Sequence, residues 1–195
     1  MQYRPLGRTG LQVSAIALGT MTWGQQNSEA EAHAQLDAAL DAGINLIDTA
    51  EMYPVPPRPD TQGLTERHIG TWLQKTGRRQ DIVLATKVTG PARQAGRPGH
   101  VRDGRLLLTR ENIFEAVDLS LQRLQTDHID LYQLHWPDRK VRVFGGQSYR
   151  DYDQDFEAFG DILEALDTHV KKGSIRHVGV SNEFPWGVMK FLAES

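Results

Sequence analysis

The sequence predicts an α/β fold of the (β/α)8 TIM-barrel type that begins with a β-hairpin and contains the first five βα units. Short apolar segments alternate with amphipathic helical patterns along all 195 residues, which favours a parallel sheet with crossover helices. Polar side chains follow several of these segments at the same end, where a barrel carries its active site. The Gly-x-Gly-x-x-Gly spacing of a doubly wound dinucleotide fold is absent, since only Gly19 and Gly24 come near it and Gln25 follows them.

The N-terminal segment has the pattern of a β-hairpin. Residues 3–6 and 11–14 flank Gly7-Arg-Thr-Gly10, a glycine-containing loop of the kind that joins two antiparallel strands. Its expected role is structural. We expect the hairpin to cover the N-terminal mouth of the barrel, away from the active-site end.

Each predicted strand is followed by a helical pattern that has a start or stop signal. The predicted strands are 15–20, 45–48, 82–87, 129–135 and 175–181. Ser28 with Glu31 forms a capping box, Thr109 is an N-cap, and Pro185 begins the last helix. The residues expected on the buried helix faces are Ala32, Leu36, Ala39, Leu40, Leu64, Ile69, Trp72, Leu73, Ile113, Val117, Leu121, Leu124, Phe159, Ile162, Leu163, Leu166 and Val170.

Composition excludes several classes of protein. The chain is 39% hydrophobic and 24% charged, as expected of a globular domain, and its net charge of −3 offers no basic stripe for nucleic acid. It has no cysteine, which excludes disulfides and thiolate sites. No signal-peptide core and no apolar run long enough to span a membrane occurs. We therefore expect a cytoplasmic protein with neither a nucleic-acid partner nor a membrane partner.

Four ionisable side chains are predicted to meet at one end of the sheet. Asp48, Lys87 and His135 end three successive strands, and Tyr53 lies in the loop five residues after Asp48. An ammonium beside a phenol lowers the pKa of the phenol, and Asp48 can anchor Lys87. With His135 orienting a substrate oxygen, the set fits protonation of a carbonyl as hydride reaches its carbon, and general acid catalysis contributes ~10²–10⁴-fold. No side chain supplies hydride, so a nicotinamide cofactor is implied.

Structural roles are an alternative for every one of these residues. Asp48 can cap a turn, Tyr53 can be an ordinary loop aromatic, Lys87 can be solvated, and His135 can be a hydrogen-bonded structural histidine. The Ser181-Asn182 pair can be a helix cap. The aromatic residues that can serve core or loop packing are Trp23, Trp136, Phe144, Tyr149 and Tyr152. Six further histidines, at positions 33, 68, 100, 128, 169 and 177, lack metal-ligand spacing, so no metal is predicted.

Four separated motifs resemble the aldo-keto reductase superfamily, and the stretch 50–59 is similar to its bacterial Tas-type members. The motifs are 43–50 with Tyr53, Thr86-Lys87, the strand 131–135, and the stretch 179–182. The resemblance implies an NADPH-dependent reductase of small aldehydes, ketones or quinones. It implies that Tyr53 is the general acid, that Lys87 and Asp48 tune it, and that His135 positions the carbonyl. For the cofactor, it implies that Ser181 and Asn182 hold the nicotinamide carboxamide and that Gly19, Thr20 and Asp48 lie nearby. Trp23 and Trp136 are implied to line the substrate pocket.

The length departs from the pattern of the family. A (β/α)8 barrel usually takes ~250 residues, whereas five units fill this chain of 195 residues. Residues 1–195 are expected to form one truncated barrel domain without strands six to eight, weakly active alone and prone to self-association. The preference for NADPH over NADH rests on the resemblance. Two other functions stay open: a nicotinamide-binding regulatory subunit, and a hydrolase using Asp48 and Glu51 as acid and base.

Overall fold

The fold comes from a computed structural model that describes residues 1–91, 99–139, 141 and 157–195. Two stretches of the chain fall partly or wholly outside these ranges. The loops after residues 89 and 136 are described only in part. Phe144, Tyr149 and Tyr152 lie outside the described residues.

A five-stranded parallel sheet and a separate hairpin make up the β structure of the described residues. The strands are β1 (Tyr3–Pro5), β2 (Gln12–Ser14), β3 (Leu18–Gly19), β4 (Leu46–Asp48), β5 (Val83–Val88), β6 (Ile129–Leu134) and β7 (Ile175–Val180). Strands β3 to β7 pair in their order along the chain, without the reversal that a doubly wound sheet shows. This order is that of a barrel wall, so the predicted fold class is confirmed.

In the part of the chain that the structure describes, five α-helices follow the strands of the parallel sheet. They are α1 (Glu29–Asp41), α2 (Leu64–Thr76), α3 (Arg110–Leu124), α4 (Phe159–Lys172) and α5 (Pro185–Glu194), with short 3-10 helices at Arg79–Asp81 and Val101–Gly104. The capping box of Ser28 and Glu31 is formed at the start of α1, and Thr109 caps α3. Gly77 and Gly173 end α2 and α4 in the left-handed conformation, which glycine adopts at low steric cost.

The main core lies between the sheet and the helices. It joins strand residues such as Ile47, Leu84 and Tyr132 to helix residues such as Leu36 and Trp72, all of them fully buried. Each such side chain contributes ~1.5–3 kcal/mol by leaving water. Because alternate strand residues face opposite sides of the sheet, the residues between these apolar positions point to the inner side, where the candidate site lies.

The hairpin packs against the N-terminal end of β4, as expected. The side chain of Asn45, just before β4, accepts a hydrogen bond from the Ser14 backbone N–H at 2.7 Å and donates one to the Gln12 carbonyl at 2.9 Å. The Tyr3 hydroxyl donates to the Gly43 carbonyl at 2.8 Å. These contacts leave the opposite ends of the strands clear of the hairpin.

Two predictions about burial are wrong in detail. The first strand of the parallel sheet was expected to be buried over 15–20, but β3 is only Leu18–Gly19 and Ile16 is 60% exposed. The reason is that β3 is an edge strand that pairs with β4 alone in the described sheet. Several helix residues expected in the core lie at the flanks of the apolar faces and are only partly buried: Leu40, Leu64, Leu121, Phe159, Leu163 and Val170.

Candidate active site

Three strand ends and one loop bring the candidate catalytic residues to the same edge of the sheet. Asp48 is the last residue of β4, Lys87 lies one residue before the end of β5, and His135 directly follows β6. Because the strands are parallel, their carboxyl ends share one edge. Tyr53 is held in the loop after β4, where its N–H donates to the Ala50 carbonyl and its own carbonyl accepts from the Gly63 N–H at 2.9 Å.

Lys87 and Asp48 form the central ion pair of the site. The Lys87 Nζ donates to Asp48 Oδ2 at 2.7 Å and to the Thr49 carbonyl at 2.8 Å. The Lys87 side chain is only 6% exposed, whereas that of Asp48 is 36% exposed. The other carboxylate oxygen of Asp48 accepts from Gln133 Nε2 at 3.4 Å. Sequence reasoning missed Gln133, although strand alternation puts it on the same side of β6 as His135.

Tyr53 and His135 complete the group. The two rings meet edge to face with 5.5 Å between their centroids, and the Lys87 Nζ lies 5.3 Å from the centroid of the Tyr53 ring. Tyr53 is buried at the edge of a small apolar cluster. The structure therefore brings together Asp48, Tyr53, Lys87 and His135, which the sequence predicted as one set.

The protonation behaviour of Tyr53 differs from the prediction. Burial, together with the nearby carboxylate of Asp48, raises the pKa of Tyr53 to about 12. The expected net lowering of this pKa is wrong, because burial outweighs the effect of the Lys87 ammonium, whose charge is paired with Asp48. The phenol consequently stays protonated through the neutral range, and it is a weaker proton donor than a free tyrosine.

Ser181 and Asn182 follow β7 directly and connect it to the residues after β6. The Ser181 N–H donates to the Leu134 carbonyl at 2.8 Å. The Asn182 side-chain amide donates to the His135 carbonyl at 2.9 Å and to the Ser181 hydroxyl at 3.1 Å. Asn182 has a φ of 55°, in the left-handed region that asparagine tolerates better than most residues. The pair thus lies at the active-site edge, next to the backbone of His135.

Gly19 and Thr20 lie beside Asp48 at the end of β3. Gly19 pairs in register with Asp48, is exposed, and has open space where a side chain would project. Thr20 is buried, and its hydroxyl donates to the Asp48 carbonyl at 2.9 Å. Gly19 therefore forms part of the accessible edge, whereas the hydroxyl of Thr20 fastens β3 to β4.

The two tryptophans predicted in the substrate pocket lie in different places. Trp136 packs against the His135 ring at 4.7 Å between centroids, and its Nε1 donates to the Pro91 carbonyl at 3.1 Å. Trp23 is instead fully buried in the main core, and its Nε1 donates to Gln35 on α1 at 2.9 Å. The structure does not bring Trp23 to the site, because its large apolar ring fills space against the helices.

Buried charge beneath the site was not predicted. Glu51 and Arg102 form an ion pair at 2.9 Å with almost no exposure of either side chain. A second pair joins Glu66 of α2 to Arg123 of α3 at 2.6 Å. The glutamates fall within ordinary loop and helix patterns, and their partners are more than fifty residues away in the chain, so no local signal identifies them.

The described residues contain neither a metal-binding cluster nor a membrane-spanning helix. Within residues 1–91, 99–139, 141 and 157–195, no group of three His, Asp or Glu side chains is arranged to hold a metal ion. In the same part of the chain, no helix is long and apolar enough to cross a membrane.

Comparisons with known proteins identify relatives over the whole chain. The sequence model of the Aldo/keto reductase family matches residues 15–194. Protein tas of Escherichia coli (strain K12) is 52% identical over 197 residues, covering 98% of this chain and 55% of that protein. An uncharacterized oxidoreductase of Bacillus subtilis (strain 168), YrpG, is 39% identical and covers 100% of this chain and 53% of its own length.

A solved structure shows the same likeness in three dimensions. It is an aldo-keto reductase from Bacillus halodurans in its holo form, with a TM-score of 0.75 and 35% sequence identity. The match covers 100% of this chain and 55% of that one. The chain therefore spans about half the length of the relatives that it matches.

Proposed function

The chain belongs to the aldo/keto reductase family, and on that basis we propose that it carries the catalytic residues of an NADPH-dependent oxidoreductase. The proposed reaction is reduction of small aldehydes, ketones or quinones to alcohols. The observation that supports this proposal is the group formed by Tyr53, His135 and the ion pair of Lys87 with Asp48. A phenol with an imidazole and an ammonium beside its ring fits proton delivery to a carbonyl oxygen.

Each residue of this group has a distinct role in the proposal. Tyr53 donates the proton as general acid, and its protonation through the neutral range suits a donor. His135 hydrogen-bonds the carbonyl oxygen and orients it toward Tyr53. Lys87 stabilises the negative charge that the phenol acquires on donating its proton, and Asp48 holds Lys87 in position. Trp136, packed on His135, forms a wall of the substrate pocket.

The residues at the sheet edge fit a nicotinamide cofactor. A carboxamide needs one hydrogen-bond donor and one acceptor, and the exposed amide of Asn182 beside the Ser181 hydroxyl provides both. Gly19 leaves room at the edge because it has no side chain. When bound, the cofactor supplies the hydride that no side chain can supply. The choice of NADPH over NADH follows from the family resemblance.

A second candidate is a nicotinamide-binding regulatory subunit with little turnover. The observation that favours it is the pKa of Tyr53, which burial raises to about 12 and which makes proton donation less favourable. In this alternative the same edge residues bind the cofactor, and Tyr53 contributes mainly to packing. The two candidates differ in turnover and agree in cofactor binding.

One assay separates these candidates. NADPH is mixed with the protein and 4-nitrobenzaldehyde, and the loss of NADPH absorbance is followed alongside quenching of tryptophan fluorescence. Consumption of NADPH that disappears in Tyr53→Phe supports the reductase. Quenching without consumption supports the regulatory subunit. Absence of both signals contradicts the proposal of nicotinamide binding itself.

A further inference from the structure

Glu51 connects the loop that carries Tyr53 to the segment after the next strand. It precedes Tyr53 by two residues, and its side chain is 1% exposed. Its Oε1 accepts hydrogen bonds from the Thr89 N–H at 2.9 Å and from Arg102 at 2.9 and 3.2 Å. One carboxylate oxygen therefore joins three separate parts of the chain within a buried environment.

Hydrogen bonds hold the side chain of Arg102 in place, as they do that of Glu51. Its guanidinium also donates to the carbonyls of Arg105 at 2.9 Å, Asn112 at 3.2 Å and Thr89 at 3.1 Å. Its backbone has a φ of 47°, in the left-handed region that a residue other than glycine adopts only when its surroundings hold it there. These contacts fix the segment 101–106, whose residues Val101 and Leu106 pack in one apolar cluster with Tyr53 and Trp136.

The backbone of Glu51 joins this pair to the catalytic strand. Its N–H donates to the Lys87 carbonyl at 3.2 Å, and its carbonyl accepts from the Gln62 side chain at 2.6 Å. Tyr53 itself donates its N–H to the Ala50 carbonyl, one residue before Glu51. A displacement of Glu51 therefore moves Tyr53 relative to Lys87.

We propose that Glu51 and Arg102 are positioning residues of the active site. Their buried ion pair sets the position of Tyr53 relative to Lys87 and His135. It also holds Val101 and Leu106 in their packing against Trp136. Both side chains are almost completely buried, so they act through Tyr53 and not by contact with a substrate. This inference rests on the proposed function.

Asp130 supplies the matched control for a role in stability alone. It is also a buried carboxylate bound to guanidinium groups, with Arg79 at 2.8 Å and Arg176 at 2.9 Å. It lies near the start of β6, at the opposite edge of the sheet from Tyr53. Asp130→Asn therefore damages a comparable ion pair in the same sheet, far from the proposed site.

The first test compares the kinetics of Glu51→Gln, Arg102→Lys and Asp130→Asn. We expect Glu51→Gln to lower kcat about 10-fold or more with the KM for NADPH nearly unchanged, because small misplacements of a reacting group cost up to ~10²-fold. Arg102→Lys keeps the charge but loses the planar guanidinium, so it should lower kcat less than Glu51→Gln does. Asp130→Asn should lower the melting temperature and leave kcat unchanged. Equal kcat values in Glu51→Gln and Asp130→Asn would overturn the inference.

The second test does not depend on turnover. The protein is labelled with 3-fluorotyrosine, and the ¹⁹F resonance of Tyr53 is assigned by its loss in Tyr53→Phe. The Tyr53 resonance should shift or broaden in Glu51→Gln and stay in place in Asp130→Asn. If Glu51→Gln does not fold, Arg102→Lys takes its place in the comparison.

The two tests separate failure of the inference from failure of the proposed function. An unchanged Tyr53 resonance overturns the inference even in an active enzyme. A native protein that reduces no carbonyl compound contradicts the proposed function, and the Tyr53 resonance alone then decides the positioning role.

Discussion

Lys87 donates a 2.7 Å hydrogen bond to Asp48 while its ammonium lies 5.3 Å from the centroid of the Tyr53 ring. The lysine charge near Tyr53 is thus already paired with a carboxylate. Asp48 raises the pKa of Tyr53. Because a neighbouring ammonium opposes such a rise, the acidity of the phenol should depend on the balance of this pair.

The pH profile should report this balance. Activity requires protonated Tyr53 and is lost as the pH rises through its pKa, so a lower pKa moves the falling limb of kcat/KM to lower pH. Asp48→Asn removes the negative charge and should move the limb down in pH, whereas Lys87→Met should move it up. The measurement is kcat/KM for 4-nitrobenzaldehyde against pH. If the falling limb stays at the same pH in both variants, it reports the titration of a group other than Tyr53.

Tyr53→Phe should separate chemistry from binding. The substitution removes the proton donor and almost nothing else, so turnover should fall by ~10²-fold or more while NADPH affinity stays nearly unchanged. Steady-state kinetics give the first quantity and fluorescence titration with NADPH gives the second. Near-normal turnover in the variant would remove Tyr53 as the general acid.

Gly70 should be required for the close packing of α2 on α3. A methyl group at this position would lie 2.3 Å from the Arg123 carbonyl oxygen, which is backbone and cannot swing away. Gly70→Ala should therefore destabilise the fold by ~1–3 kcal/mol in urea unfolding. The control is Gly160→Ala in α4, where the only close atom among the described residues is a Glu194 carboxylate oxygen at 3.5 Å. That substitution should be neutral or stabilise by up to ~1 kcal/mol, and equal losses in both variants would contradict the packing argument.

His169 should contribute to the loss of stability in acid. Burial lowers the pKa of His169 below its ordinary value of 6.5. The unfolded chain then binds the proton more readily than the folded one, so the contribution of His169 is complete above pH 6.5 and is lost as the pH falls toward the folded pKa. His169→Gln should flatten the decrease in the free energy of unfolding below that pH. Ser174→Ala, which removes the hydroxyl bound to the ring but keeps the titrating group, should retain the slope.

The sequence predicted the parts of the site that follow from strand ends. Asp48, Lys87 and His135 could be grouped because parallel strands share one edge, and Ser28 could be identified as a cap because its partner Glu31 is local. Arg102 could not be paired with Glu51, because their contact depends on how two loops fold over the sheet. The pKa of Tyr53 could not be predicted either, because burial dominates it and burial is a property of the folded chain.

The pairing of β5 with β6 also determines the chemistry of the site. In the observed register Thr86 lies opposite Tyr132 and Lys87 opposite Gln133. Thr86 faces the helices, where its hydroxyl donates to Glu66, and Lys87 faces the opposite side of the sheet. A shift of β5 by one residue would exchange the two side chains. The ammonium would then be buried against α2, and an uncharged hydroxyl would face Asp48. A mispaired chain would therefore be compact but catalytically inactive.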